Sequence, residues 1–190
     1  IADAAQAPFS FYNKKLAGTQ SDIGGFSYNY HKHVHTGEGG AVVTNNKVLA
    51  ERIRKIRNHA EASVKINDKL NNMLGYNFRM GELEASIGII QLTKLKKKVK
   101  IRQFQANYLN KKLSKLIGVT VPKIPKNYTH SFYVYPLKIN PKKIGIKREK
   151  IIEALIGEGL QGISGGYANL HLLPVFQKKI AYGKKGFPWK

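Results

Sequence analysis

The sequence predicts an α/β fold, because segments with the pattern of β-strands alternate with segments that have the period of an α-helix. Two observations support this prediction. Short apolar runs next to glycine pairs recur in the first 44 residues, and three later segments place apolar residues three or four positions apart. Of the 190 residues, 42% are hydrophobic and 10% aromatic, enough to bury a substantial core.

Three segments have the pattern of strands. GGFSYNY, residues 24–30, is typical of a strand or a strand end, and GGAVVT, residues 39–44, of a short buried strand. SFYVYPLKI, residues 131–139, alternates as a strand, in which Pro136 favours an edge position or a bulge.

Three segments have the pattern of helices. Residues 46–58 keep helical spacing, and a polar loop through about Leu70 is expected to follow. Residues 80–116 predict a long helix with an apolar stripe that includes Phe104, and this helix is expected to pass from one domain to the next. Residues 147–160 predict another helix, which glycine ends.

Charge and composition narrow the possible classes of protein. The net charge is +22, which raises nucleic acid as a partner. The lysines are scattered, however, the densest run (residues 94–102) fits a helix with a solvated basic face, and no nucleic-acid-binding motif is present. The absence of cysteine excludes disulfides and thiolate metal sites. No apolar run has the length of a membrane span and no signal peptide is recognisable, so the cytoplasm is the predicted location.

HKHVHTGEGG, which begins at His31, allows three kinds of site. On a strand, His31, His33 and His35 would point the same way and could hold a metal, but polar residues that line a cleft are the commoner explanation of such a pattern. The glycine-rich turn could cradle a phosphate. Lys32 could be catalytic, because a neutral lysine attacks a carbonyl and forms a Schiff base.

Pyridoxal phosphate is the commonest cofactor of such a lysine, and its other needs have candidates here. Its pyridine nitrogen needs a carboxylate, and its phosphate needs hydroxyls or backbone N–H groups. Asp3 ends the first strand, where ligand sites of α/β folds collect, and Ser27 lies five residues before Lys32. Asp3 with Gln6 also fits a helix N-cap, and an isolated lysine is usually solvated, so the spacing alone leaves both interpretations open.

Four stretches occur together in an informative order: DAAQA, GGFSYNYHKHVHTGEGGAVVT, RIRKIRNHA and GYNFRMGELEASIGIIQLTKL. In this order they resemble the DegT/DnrJ/EryC1/StrS family of pyridoxal-phosphate-dependent sugar aminotransferases, most strongly over residues 1–95. The resemblance implies a fold-type I transferase, similar to aspartate aminotransferase. Residues 1–96 would be the latter part of its cofactor-binding large domain, and residues 97–190 a bridging helix and an incomplete small domain.

The resemblance also implies roles for five residues. No metal site is predicted, because the histidines outside HKHVHTGEGG are isolated in the sequence. Lys32 would be the catalytic, Schiff-base lysine, Asp3 would pair with the pyridine nitrogen, and Gln6 would lie beside the ring hydroxyl. Ser27 would hold the phosphate. The family builds its sites at a dimer interface, so Asn77 would reach the phosphate of a partner subunit. The glycines of the TGEGG turn then serve only a tight connection into the next strand.

The sequence departs from the family pattern at a few positions. Tyr28 and Phe78 are mild aromatic exchanges, whereas His33 and His35 replace the usual asparagine and threonine, and their role stays open. Family members with histidine in place of the lysine act as dehydratases, so the presence of Lys32 favours amino transfer.

The implied function is transamination of a nucleotide-linked keto-sugar by a cytoplasmic homodimer, with glutamate as the amino donor and with no membrane partner. The sugar and the ring position stay open. The motifs of the family's first half are missing, so the sequence is expected to be a piece of a longer chain. The alternative is a non-catalytic or truncated homologue, or a basic nucleic-acid-binding module.

Overall fold

A computed structural model of the chain describes residues 1–61, 73–183 and 185–189. The chain divides into two compact units, Ile1–Lys138 and Ile139–Lys190.

A three-stranded sheet forms the base of the first unit. Strand β1 (Ala2–Asp3) is parallel to β4 (Gly24–Ser27), and β4 is antiparallel to β5 (Gly40–Val43). Between β1 and β4 the chain forms a hairpin of β2 (Phe11–Tyr12) and β3 (Lys15–Leu16). Strands are therefore present in both early segments that the sequence predicts as strands.

The prediction of a buried strand at residues 39–44 is wrong in one respect. Residues of β5 alternate between half-buried and exposed, and Val42 is 54% exposed. This alternation shows that one face of β5, an edge strand of the described sheet, meets solvent. Gly24 of β4, in contrast, is tightly enclosed, because a Cβ there would overlap the carbonyl oxygen of Gly18. This close approach explains why a glycine begins the strand.

Helix α1 (Lys47–Arg57) confirms the first predicted helix. The side chain of Asn46 caps it by accepting hydrogen bonds from the N–H groups of Val48 (2.9 Å) and Leu49 (3.1 Å). Basic residues in the last turn stabilise the helix, because their positive charge lies at the negative end of its dipole. Most of the polar loop predicted through Leu70 lies outside the described residues.

Helix α2 (Glu82–Leu113) confirms the long helix, and its 32 residues span about 48 Å. Val99 and Ala106, two turns apart, are buried. The predicted stripe does not match this buried side, because Phe104 is 74% exposed. Helix α2 continues without interruption through residue 96, where the sequence places a domain boundary, and that boundary stays a prediction.

The strand predicted over residues 131–139 is mostly wrong. Strand β6 is Val119–Thr120, and only β7 (Lys138–Ile139) falls in the predicted segment. Phe132 has a φ of 50°, which breaks an extended chain, and its N–H donates to the Nδ1 of His130 (2.9 Å). Over residues 130–133 the backbone therefore bonds to side chains, whereas β7 pairs with β6.

The second unit contains α3 (Pro141–Ile144), α4 (Arg148–Gly157), a 3₁₀ turn (Leu170–Leu172) and α5 (Pro174–Gln177). Helix α4 confirms the last predicted helix. Within the described ranges of both units, no helix has the length and apolar character needed to cross a membrane.

Candidate active site

Four of the five predicted site residues lie at or after the carboxyl ends of β1 and β4, which meet at one edge of the sheet. Strands β1 and β4 run in parallel with Asp3 opposite Gly25, so the segments that follow these strands leave the sheet at the same edge. Asp3 ends β1 and Gln6 lies in the turn after it. Ser27 ends β4 and Lys32 lies in the loop after it.

The loop that carries Lys32, residues 28–39, folds back on the end of β4 and is called the lysine loop below. The N–H of Thr36 donates to the carbonyl of Tyr28 (3.0 Å), and the N–H of Lys32 donates to the carbonyl of Asn29 (2.9 Å). These bonds fix the backbone of Lys32 in a turn.

The glycines of the TGEGG turn close the lysine loop onto β5, as the sequence predicts. Gly37 and Gly39 have φ values of 87° and 153°. At Gly39 a Cβ would lie 2.7 Å from the Oγ1 of Thr36, so a larger residue would not fit without a shift.

The histidines of the lysine loop lie in turns and not on a strand, so the shared direction expected for a metal site does not arise. The His31 ring lies against Tyr30, with 3.7 Å between ring centroids, whereas the His33 ring is buried with its Nε2 2.8 Å from the carbonyl oxygen of Ser131. Among the described residues, no group of three or more histidines and carboxylates is arranged to hold a metal.

His33 is buried, and its surroundings disfavour the protonated form of its ring. It is only 3% exposed, and burial lowers the pKa of its ring, although the hydrogen bond to Ser131 opposes this shift. The cations of Arg102 and Lys98 lower the His33 pKa further. A carbonyl oxygen only accepts, so Nε2 carries the hydrogen, and the buried Nδ1 has no hydrogen-bond partner in the described part of the chain.

Asp3 and Ser27 retain hydrogen-bonding capacity that fits a cofactor. The side chain of Asp3 is exposed, and its Oδ1 accepts a hydrogen bond from the N–H of Ala5 (3.0 Å). This bond belongs to a turn and is not a helix cap, because no helix starts here. The Oγ of Ser27 accepts from the N–H of Asn29 (3.3 Å). The other Asp3 oxygen and the Ser27 hydroxyl hydrogen remain available for the pyridine nitrogen and the phosphate of pyridoxal phosphate.

The half-buried amine of Lys32 lies against an aromatic ring. Its Nζ is 4.5 Å from the centroid of Tyr133. Ser131, in the same segment, donates its hydroxyl hydrogen to the carbonyl of Gln6 (3.0 Å). This segment therefore links the turn after β1 with the lysine loop.

An open groove of about 1390 Å³ lies elsewhere, on the face of β4 and β5 beside α1. Phe26, Ile53 and Met80 are among its lining residues, whereas Lys32 and Asp3 are not. The candidate chemistry is therefore assigned to the sheet edge and not to this groove.

The model of the DegT/DnrJ/EryC1/StrS aminotransferase family matches residues 1–189. The chain belongs to this family. The family prediction made from the four motifs is thus confirmed.

Similar proteins of the family are found in several microbes. The uncharacterized protein MJ1066 of Methanocaldococcus jannaschii is 36% identical, over 99% of this chain and 50% of its own length. The UDP-4-amino-4,6-dideoxy-N-acetyl-beta-L-altrosamine transaminase of Campylobacter jejuni is 30% identical, over 95% of this chain and 47% of that protein. The crystal structure of S. venezuelae DesV matches with a TM-score of 0.80 and 25% identity, over 97% of this chain and 47% of that one. The chain spans about half the length of the relatives it matches.

The predicted fold class is confirmed as well, because the structural neighbours are fold-type I transferases with mixed α/β content. One structural neighbour, the E coli GDP-4-keto-6-deoxy-D-mannose-3-dehydratase, contains bound hydrated PLP; it matches with a TM-score of 0.72 and 28% identity, over 84% of this chain and 44% of that one. The individual roles of Lys32, Asp3, Gln6, Ser27 and Asn77 stay predictions.

Asn77, the fifth predicted residue of the family site, has its contacts elsewhere. It is exposed and forms a β-bridge with Asn58, directly after α1, and the Nη1 of Arg79 donates to the Oδ1 of Asn58 (2.7 Å). The exposed side chain of Asn77 is accessible to a second subunit, as the role predicted from the family motif requires.

Sequence reasoning missed Tyr133 and Ser131 as neighbours of the site. The alternation in SFYVY fitted a strand, and nothing local indicates that one ring lies against Lys32. The only available signal was the histidine and aromatic residues grouped at positions 130–133.

Proposed function

We propose that the protein containing this chain is a pyridoxal-phosphate-dependent aminotransferase that acts on a nucleotide-linked keto-sugar, with glutamate as the amino donor. The observation that supports it best is the placement of Lys32, Asp3 and Ser27 near one sheet edge in a chain of this family. The named Campylobacter jejuni relative is a transaminase of a nucleotide-linked amino sugar.

The bound cofactor would supply the electron sink that lets an amino group move between an amino acid and a carbonyl. The Lys32 amine would hold the cofactor, and Nζ, once free, would carry a proton to and from the substrate carbon as general acid and base. Asp3 would keep the proton on the pyridine nitrogen. Ser27 would donate to the phosphate, and Gln6 would lie beside the ring hydroxyl.

The charge of the chain suits this class of substrate. A chain of net charge +22 attracts an anionic nucleotide diphosphate and accelerates its encounter with the site. We further propose a cytoplasmic homodimer, in which the exposed Asn77 of each subunit contacts the cofactor phosphate of the other.

The function is tested on the full-length protein supplied with pyridoxal phosphate. We expect a yellow protein that borohydride bleaches, with the reduced cofactor found on Lys32 by peptide mass spectrometry. Glutamate and a panel of nucleotide-linked keto-hexoses should then yield an amino sugar and 2-oxoglutarate. A colourless protein with salt-sensitive nucleic-acid binding would favour the alternative of a basic binding module.

The shared site is tested by mixing two inactive variants, Lys32→Ala and Asn77→Ala, in the full-length protein. In a heterodimer, one site receives both substitutions and the other receives neither. We expect isolated heterodimers to recover half of the wild-type activity if Asn77 acts across the interface. If Asn77 acts within its own subunit, both sites stay defective, and inactive heterodimers of proven composition would overturn this proposal.

A further inference from the structure

Among the described residues, the Lys32 amine lies over one aromatic ring, that of Tyr133. At 4.5 Å from the ring centroid, the Lys32 Nζ lies within the range in which an ammonium is attracted to the face of an aromatic ring. Both side chains are half-buried, so water screens this attraction less than it would at a fully exposed pair. The contact restricts the rotamers of a long side chain that would otherwise be free.

The backbone next to Tyr133 is held by helix α2. The Nη1 of Arg102 donates to the carbonyl of Phe132 (3.0 Å) and to that of Tyr133 itself (3.2 Å). The side chain of Gln103 donates to the carbonyl of His130 (3.0 Å). Three hydrogen bonds from two neighbouring residues of α2 therefore hold the backbone of residues 130–133.

The same segment is also tied to the two loops that carry the candidate site residues. The hydroxyl of Ser131 donates to the carbonyl of Gln6, and its own carbonyl accepts from the ring of His33. The segment that carries Tyr133 is therefore hydrogen-bonded, through Ser131, to the same loops that carry Gln6 and Lys32.

Phe132 has a left-handed backbone, with a φ of 50°, in the middle of this network. Such a conformation is costly for a bulky residue, and it persists where the surrounding contacts determine it. Here it turns the chain so that Ser131 and Phe132 are both buried while Tyr133 meets Lys32.

We propose that Tyr133 is a positioning residue for Lys32. Its ring face holds the Lys32 ammonium group in place before the cofactor is attached. This inference rests on the proposed function and adds to it a residue that the family motifs leave without a role. The aromatic face, and not the hydroxyl, performs the task, since the face is what contacts Nζ.

Three variants of the full-length protein separate this role from simple packing. Tyr133→Phe keeps the ring face, and Tyr133→Leu removes it while keeping an apolar side chain. Tyr135→Leu is the matched control, because Tyr135 is a half-buried ring of the same segment that hydrogen bonds to Asn110 (2.7 Å). If Tyr133→Leu does not fold, Tyr133→Met replaces it.

The first measurement needs no cofactor. The acetylation rate of Lys32 in the cofactor-free protein is followed by peptide mass spectrometry. We expect Tyr133→Leu to raise this rate about two- to fivefold, the factor that corresponds to one cation–π contact, and Tyr133→Phe and Tyr135→Leu to leave it unchanged. An equal rate in Tyr133→Leu and the wild type would overturn the proposal.

The second measurement is the rate of pyridoxal phosphate uptake, fixed by borohydride at timed intervals. Although its amine is freer to react, Tyr133→Leu should slow the uptake by a similar factor, because the amine is no longer held where it meets the cofactor. Tyr133→Phe should keep the wild-type rate. Faster acetylation with unchanged uptake would overturn the positioning role. If the wild type itself takes up no pyridoxal phosphate, the proposed function fails, and the acetylation rates still report whether the contact between Tyr133 and Lys32 exists.

Discussion

Lys32→Ala in the full-length protein is expected to abolish amino transfer, with a fall in the single-turnover rate of about 10⁴-fold or more. The effect is large because one amine would perform two tasks, as the covalent attachment point and as the carrier of the proton. The position supports this double task, since Lys32 is half-buried in a fixed turn at the end of β4.

The control for this experiment is Lys97→Ala, which removes an exposed lysine of α2 and lowers the net charge equally. It should keep the wild-type rate, so a loss confined to Lys32→Ala cannot come from charge alone. Circular dichroism checks that both variants are folded. A folded Lys32→Ala protein with a nearly normal rate would contradict the assignment of the catalytic lysine.

The helices could be predicted from the sequence because their signals are local. In α1, α2 and α4 the apolar spacing and the helix ends lie within a few neighbouring residues. The segment at 131–139 has an equally clear local alternation, and the strand prediction there was mostly wrong, since only β7 lies in it. Its backbone bonds are made to Arg102 on α2, a partner that no local pattern indicates.

The candidate site, too, has parts that local sequence patterns predict and parts that they do not. Ser27 and Lys32 lie in one continuous motif, and the parallel pairing of β1 with β4 brings Asp3 to the same edge, as the position of ligand sites in α/β folds predicts. The contact between His33 and Ser131 joins residues 98 positions apart. The burial of the His33 ring against Ser131 accounts for a histidine at this position, which the spacing of the three histidines could not indicate.

Asp3 has two possible roles, which require different properties of its side chain. In the structure its Oδ1 accepts from the N–H of Ala5 (3.0 Å), and a turn of this kind needs only an oxygen acceptor. Asparagine supplies the same oxygen, so a purely structural Asp3 would tolerate Asp3→Asn with little loss of stability. A partner of the pyridine nitrogen needs a negative charge, since only an opposite charge nearby keeps that nitrogen protonated.

Asp3→Asn in the full-length protein is therefore expected to fold, to take up pyridoxal phosphate through Lys32 and to react far more slowly. We expect the single-turnover rate to fall by about three orders of magnitude or more, which corresponds to about 4 kcal/mol of transition-state stabilisation. Asp22→Asn, at an exposed carboxylate of the loop before β4, is the matched control and should react at the wild-type rate. A folded Asp3→Asn protein that reacts as fast as this control would leave Asp3 as a turn residue only, and the sheet edge would lose the charge on which the proposed chemistry depends.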